Sequence, residues 1–304
     1  MHVHFGVELV VPEWPQSVCC IGTFDGVHLG HRQVIGAAVA QARERGLPCI
    51  LVTFDRHPAA VLNPERCPPA IASLHENLAH FASLGVAIAV VLPFDLQLSQ
   101  TSAEDFYREV LVGKLRASAL VVGHDFAFGQ GRQGTPEWLQ ERIETRVVPA
   151  FEFEGLRVSS SQIRKDIQEG RMEHACELLG RPFQIDGIVV QGEQLGRELG
   201  YPTANIARPF AQVLPRDGIY AGTCDTPLGE FRAATSIGRR PTVGGGERTI
   251  EAYLLDYPGD SLYGAAVSLH LKHRLRDELH FDSLDSLVEQ MDRDVEQVRA
   301  LLAD

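Results

Sequence analysis

Short apolar runs alternate with amphipathic stretches along the first 180 residues. The runs at 18–21, 49–54, 86–92, 120–122 and 146–148 read as buried strands. Between them, residues 30–44, 73–84, 103–114 and 136–141 are helical candidates, the third with Ser102 as N-cap and Asp105 at N3. This βαβαβαβ order predicts a doubly wound α/β sheet. Residues 160–169 and 172–179 then read as helices closed by Gly170 and Gly180, and Arg181-Pro182 marks a stop. The texture changes there, so the expected domains are 1–182 and 183–304. Short alternating strands at 183–191, 218–225, 230–238, 249–256 and 265–272, punctuated by glycine and proline, predict a small antiparallel barrel. One C-terminal helix closes the chain. Its Leu284, Leu287, Val288, Met291, Val295, Val298 and Leu302 share a face after a cap at Asp282 or Ser283.

The composition agrees with two folded domains: 304 residues, 44% hydrophobic and 22% charged. With 40 acidic residues against 28 basic ones the formal charge is −12, which disfavours nucleic acid and anionic membranes as partners. The cysteines at 19, 20, 49, 67, 176 and 224 show no CxxC spacing, and no window reaches the ~18 apolar residues of a membrane span. A cytoplasmic protein with reduced thiols is expected, acting on small molecules; its oligomeric state is not legible.

The first candidate site is Gly22-Thr23-Phe24-Asp25-Gly26-Val27-His28-Leu29-Gly30-His31, between the first buried strand and a helix. A glycine-rich strand-to-helix turn offers backbone N–H groups and a helix N-terminus to an anion, beyond the carboxyl end of a strand where ligands of open α/β sheets bind. His28 and His31, three apart, share one face and can donate to phosphate oxygens, while Gly30 allows close approach of a nucleotide. Ser159-Ser160-Ser161-Gln162-Ile163-Arg164 places hydroxyls at a helix start and an arginine one turn on, a polyphosphate clamp. Gly123-His124-Asp125-Phe126-Ala127-Phe128-Gly129 and Thr53-Phe54-Asp55-Arg56-His57-Pro58 follow two further strands.

The HxGH after the first buried strand resembles the signature of HIGH-type nucleotidyltransferases, with a Rossmann-like domain. The four elements together resemble the N-terminal module of the prokaryotic bifunctional riboflavin kinase/FAD synthetases. That resemblance implies adenylylation of FMN by ATP with release of pyrophosphate. It implies catalytic roles for His28 and His31, and ATP or phosphate contacts at Gly22, Thr23, Phe24, Asp25, Gly30, Gly123, Asp125, Gly129, Ser160, Ser161 and Arg164. Thr23 stands where that family often has Asn or Ser, and Ser161 where it usually has Thr.

The second candidate site runs from Gly187 through Gly192, Gly196, Arg197 and Gly200 to Pro202-Thr203-Ala204-Asn205. In extended chain Thr203 and Asn205 point the same way, two oxygen donors suited to Mg²⁺. No GxxxxGK[ST] loop occurs, which excludes P-loop chemistry by motif. The string resembles the riboflavin kinase module, a small β-barrel domain, and Asp217-Gly218-Ile219-Tyr220-Ala221 and Ile237-Gly238-Arg239-Arg240-Pro241-Thr242 follow in the expected order. The resemblance implies phosphorylation of riboflavin by ATP. It makes Glu251 the general base toward the ribityl 5′-hydroxyl, Thr203 and Asn205 metal ligands, Gly187, Gly192, Gly196, Arg197, Gly200 and Pro202 contacts to ATP or flavin, and Arg276 a neighbour of the flavin. The period of two places Glu251 on the face of Thr249, Tyr253 and Leu255. Two other readings remain open at this point: a kinase whose first domain is inactive or altered, and a non-catalytic flavin-binding regulator.

Overall fold

All five residues of Ser17–Ile21 are buried, because this strand lies inside a sheet covered on both faces. In a computed structural model that describes residues 1–8, 13–192, 200–239, 248–259 and 261–303, the chain divides into two compact units, Met1–Ser160 and Ser161–Asp304. The first unit is a six-stranded sheet of order β1-β4-β3-β2-β5-β6, with every neighbouring pair parallel. Its strands are β1 (His2–Phe5), β2 (Ser17–Ile21), β3 (Cys49–Phe54), β4 (Ile88–Leu92), β5 (Ala117–Gly123) and β6 (Glu144–Val148). The pleat sends Cys19 and Ile21 to one face, with Phe106, Leu111, Leu115 and Leu139. Val18 and Cys20 go to the other, with Val34, Ile35, Ala38, Ala42 and Phe81. Burying each of the larger side chains contributes about 1.5–3 kcal/mol. Cysteines serve here as small hydrophobes: burial pushes the Cys19 thiol up to about 12.

The expected helices form with small changes of boundary. Leu29–Arg45 ends at Gly46 in the left-handed region, φ 65°. Ser73 caps Leu74–Ser83, and Ser102 accepts from the Asp105 N–H as expected. Residues 103–114 are a continuous α-helix only at their start; Phe106–Lys114 is wound wider as a π-helix, and the Leu115 N–H reaches the Val110 carbonyl, five residues back. A short hairpin, β7 (Glu152–Phe153) and β8 (Leu156–Arg157), follows β6.

The second unit contains the helices Ser160–Glu169, from its second residue on, and Met172–Leu179, which the sequence grouping places with the first half. The physical reason is packing: Met172–Leu179 lies along β9 and β14, and the Cys176 thiol donates to the Leu271 carbonyl. Gly180 caps that helix with φ 68°. The barrel is closed, in the order β10-β13-β12-β11-β14-β9 and antiparallel throughout. Its strands are β9 (Phe183–Val190), β10 (Thr203–Ala207), β11 (Gly218–Thr226), β12 (Gly229–Arg239), β13 (Arg248–Leu254) and β14 (Ala266–Arg276). Strand β10 is absent from the sequence expectation and completes the closure between β9 and β13. Ser283 caps the final helix, Leu284–Leu301, whose Val298 packs on Ala221 and Leu255. Leu284 does not join that face; it is exposed.

Candidate active sites

In the sheet, β2 leads outward through β3 to β4, and the chain then returns to lay β5 on the other side of β2. The switch point is therefore between β2 and β5, and the loops after them, 22–28 and 124–129, flank the crevice where ligands of such sheets bind.

The 22–28 turn is tightly determined. The Gly22 N–H donates to the Val52 carbonyl, and Thr53 Oγ1 donates to the Thr23 carbonyl. Phe24, Gly26 and Val27 all have positive φ, at 47°, 78° and 40°. His28 then caps the helix Leu29–Arg45: its Nδ1 accepts the His31 N–H at 3.3 Å. An acceptor Nδ1 leaves the proton of the neutral ring on Nε2, which is then the donor. The two imidazoles stack at 3.5 Å between centroids, and the Phe24 ring meets His31 edge-on at 5.3 Å. Gly30 makes room for His28 itself, since a Cβ there would lie 3.2 Å from Cε1 of that ring.

Ser160 joins this turn, its hydroxyl donating to the Asp25 carbonyl at 3.2 Å, and Arg164 follows one turn along the same helix, largely buried. The Asp25 carboxylate accepts from the backbone N–H groups of Ile71 and Ala72. These bonds tie the turn to residues 71 and 72. Across the crevice, Asp125 is ion-paired with Arg157. Gly129 must lack a side chain because a Cβ would lie 2.5 Å from the Ala103 nitrogen. Phe126 and Phe128 stack at 5.6 Å beside Trp138.

Beyond β3 and β4 lies a cleft of about 430 Å³, lined by Asp55, Arg56, Val61, Phe94 and Leu96 among others. Burial acts to raise the Asp55 carboxyl; bonding by Arg56 and the Phe94 N–H outweighs it and holds the group below its ordinary value.

In the barrel the alternation of β13 buries Ile250, Ala252 and Leu254 and leaves Thr249, Glu251 and Tyr253 on the half-buried outer face. Cross-strand register places Asn205 and Ser236 directly beside Glu251, one on each side. Thr203 Oγ1 donates to Glu251 Oε2 at 3.4 Å. A hydroxyl, an amide and a carboxylate from two strands thus share one face, a hard-oxygen donor set of the kind Mg²⁺ takes together with phosphate oxygens and water. Gly192 is shaped to this set: a Cβ there would lie 2.2 Å from Asn205 Nδ2. Gly187 lets Ile206 pass at close range, and Gly200 has φ 85°. Gly196 and Arg197, and residues 240–242 of the later motif, lie outside the described residues.

Arg276 is held by Asp294 of the final helix through Nε at 2.9 Å and Nη2 at 2.6 Å, while its Nη1 donates to the Asp277 carbonyl. Tyr201, ahead of Pro202, donates to Asp292 of the same helix and meets Tyr253 at 5.0 Å. Partial burial, with Asp292 adding to it, pushes the Tyr201 phenol up to about 12. Neither helix contact has a local signal in the sequence, since each joins residues far apart in the chain.

Both halves match known families. Residues 11–162 match the family described as FAD synthetase, and residues 179–302 match the family described as riboflavin kinase. The bifunctional riboflavin kinase/FMN adenylyltransferase of Escherichia coli K12 is 37% identical over 92% of this chain and 91% of its own length. The enzyme of the same name from Bacillus subtilis is 32% identical over 98% and 96%. The chain belongs to the bifunctional riboflavin kinase/FMN adenylyltransferase family.

Within this bifunctional riboflavin kinase/FMN adenylyltransferase chain, the FAD synthetase match falls on the Rossmann-like sheet and the riboflavin kinase match on the closed barrel with its terminal helix. A solved structure described as a macrolide-efflux protein from Streptococcus pneumoniae has a TM-score of 0.91 at 31% identity, over 98% of this chain and 99% of that one. Among the described residues no helix is long and apolar enough to cross a membrane. The chain is a bifunctional enzyme of flavin cofactor synthesis, a kinase and a nucleotidyltransferase.

Proposed function

We propose that FMN is adenylylated at the crevice beyond β2 and β5 and that riboflavin is phosphorylated on the outer face of the barrel. In the first reaction an oxygen of the FMN phosphate attacks the α-phosphorus of ATP, the bond to the β-phosphate breaks, and pyrophosphate leaves. His28, through Nε2–H, and His31 donate to the phosphoryl oxygens where charge develops. Ser160, Ser161 and Arg164 hold the polyphosphate, with Gly22, Thr23, Phe24 and the helix N-terminus offering close backbone approach. Gly123, Asp125 and Gly129 form the opposite wall.

In the second reaction Glu251 accepts the proton of the riboflavin 5′-hydroxyl as its oxygen bonds to the γ-phosphorus and ADP leaves. Thr203 and Asn205 would hold Mg²⁺, which when bound neutralises charge on the ATP phosphates. Gly187, Gly192, Gly196, Arg197, Gly200 and Pro202 belong to the loop and strands around the nucleotide, and Arg276, fixed by Asp294, to the flavin edge. The observation that carries this assignment is the register of Asn205 on Glu251 with Thr203 bonded to the same carboxylate.

The functional boundary lies at 182/183, where Gly180 and Arg181-Pro182 end the second helix and the texture of the chain changes. Free thiols, four of them buried, suit a reducing cytoplasm, and the acidic surface suits small-molecule substrates better than nucleic acid or membrane. The test uses two variants. His31→Ala abolishes FAD formation from FMN and ATP while leaving FMN formation from riboflavin intact, and Glu251→Gln does the reverse. FAD made at the wild-type rate by His31→Ala overturns the first assignment, and FMN made at that rate by Glu251→Gln overturns the second.

A further inference from the structure

The turn after β2 holds a conformation that its residues would not choose. Phe24 and Val27 are both buried with φ in the left-handed region, and a β-branched residue such as Val27 is an outlier there. Such backbone persists only where surrounding contacts over-determine it. His28 follows Val27 directly, so any relaxation of the turn carries the histidine with it.

The restraint comes from residues 71–77, in two crossed sets of bonds. The Asp25 carboxylate accepts from the Ile71 N–H at 3.0 Å and the Ala72 N–H at 3.2 Å. In return, the Gly26 N–H donates to Asn77 Oδ1 at 3.1 Å. Asn77 lies on the first turn of the helix Leu74–Ser83, anchored by the Ser73 cap, and is only 7% exposed. Space is tight as well, since a Cβ on Gly26 would lie 2.7 Å from Ile71 Cγ2. The Gly26 N–H is buried, and a buried donor needs an acceptor. With an apolar side chain at 77, the turn can recover one only by changing the φ and ψ angles that aim His28.

We propose that Asn77 is a positioning residue for adenylyl transfer: through the Gly26 N–H it locks the strained turn that sets His28 and His31. The proposal rests on the reading that these histidines serve that reaction. Asn77 belongs to none of the sequence motifs, and its partner is 51 residues away.

The test compares Asn77→Leu, which keeps the size and removes the acceptor, with Asn77→Asp, which keeps an Oδ acceptor. FAD formation from FMN and ATP is measured in the full chain, with phosphorylation of riboflavin by the same preparation as the control for folding. Asn77→Leu is expected to lower kcat for FAD formation ~10- to 100-fold, the scale of a ~1 Å misplacement, with KM for ATP changed by less than ~3-fold. Asn77→Asp is expected to stay within ~3-fold of wild type, and riboflavin phosphorylation to be unchanged in both. Equal activity of the two variants, whether both normal or both impaired, overturns the proposal, as does a loss confined to KM. If Asn77→Leu loses both activities, Asn77→Ala removes the same acceptor without filling the site and decides by the same criteria. His31→Ala separates the two claims: full FAD formation by that variant removes the underlying reading, whereas its inactivity beside a fully active Asn77→Leu removes only the role of Asn77.

Discussion

Gly192→Ala is a small change with a large expected consequence for one activity only. The added Cβ would lie 2.2 Å from Asn205 Nδ2 and 2.5 Å from its Cγ. Ordinary contact begins near 3.4 Å, so the Asn205 amide must retreat by about 1.2 Å. The obstructing atoms are the end of a side chain, and Gly192 has no left-handed φ, so the fold can absorb the methyl within about 1 kcal/mol. The amide, however, faces Glu251 across β10 and β13 and is a proposed metal ligand. Misplacing a catalytic group by about 1 Å costs on the order of 100-fold in rate, or ~2.7 kcal/mol of barrier. Riboflavin phosphorylation should fall by about that factor in single-turnover assays, while FAD formation from FMN and the melting temperature hold. Phosphorylation within twofold of wild type would refute the reasoning, and so would an equal loss of both activities.

Two further outcomes follow from the electrostatics and the packing. The folded Asp55 carboxyl lies below its ordinary value of 3.8, so its contribution to stability is full at neutral pH and is lost as pH falls through 3.8 to the folded value. Asp55→Asn should flatten that part of the acid limb in melting curves taken between about pH 5 and 2. An unchanged limb would show that the Arg56 and Phe94 bonds do not favour the charged form in solution. Brief alkylation of the native chain at about pH 8 should label Cys67 first, because Cys19, Cys20, Cys49 and Cys224 are buried and partial burial pushes Cys176 up to about 11. Mass spectrometry that finds Cys19 labelled before unfolding would contradict the burial of β2.

Legibility follows the range of the interaction concerned. The Ser102 cap, the Gly180 cap and the helix after His28 depend on residues within a turn of each other, and each is visible as a local pattern. Strand β1, with sequence His-Val-His-Phe, is not: it is short, exposed and paired only with β4 at the sheet edge. Strand β10 is hidden for a different reason. Thr-Ala-Asn-Ile-Ala after a proline has weak strand preference, and pairing with β9 and β13 imposes the extended form. The glycines teach a similar lesson. A Cβ at Gly30 would meet the His28 ring and one at Gly129 the Ala103 backbone, and the second of these neighbours is far away in the sequence.

The amino-acid order alone determined the two architectures and singled out the candidate groups, the histidine turn, the Pro-Thr-Ala-Asn motif and Glu251, because periodicity and motif spacing are properties of neighbours in the chain. Tertiary structure decided what those groups face. The switch point between β2 and β5 exists only once the sheet order is set, and the Asn205–Glu251 register only once the barrel closes. The same holds for the Asp25 and Asn77 bonds that hold the turn and for Asp294 on Arg276, which join residues 46, 51 and 18 positions apart. Contacts at such separations depend on how whole elements pack, and no local window of sequence encodes them.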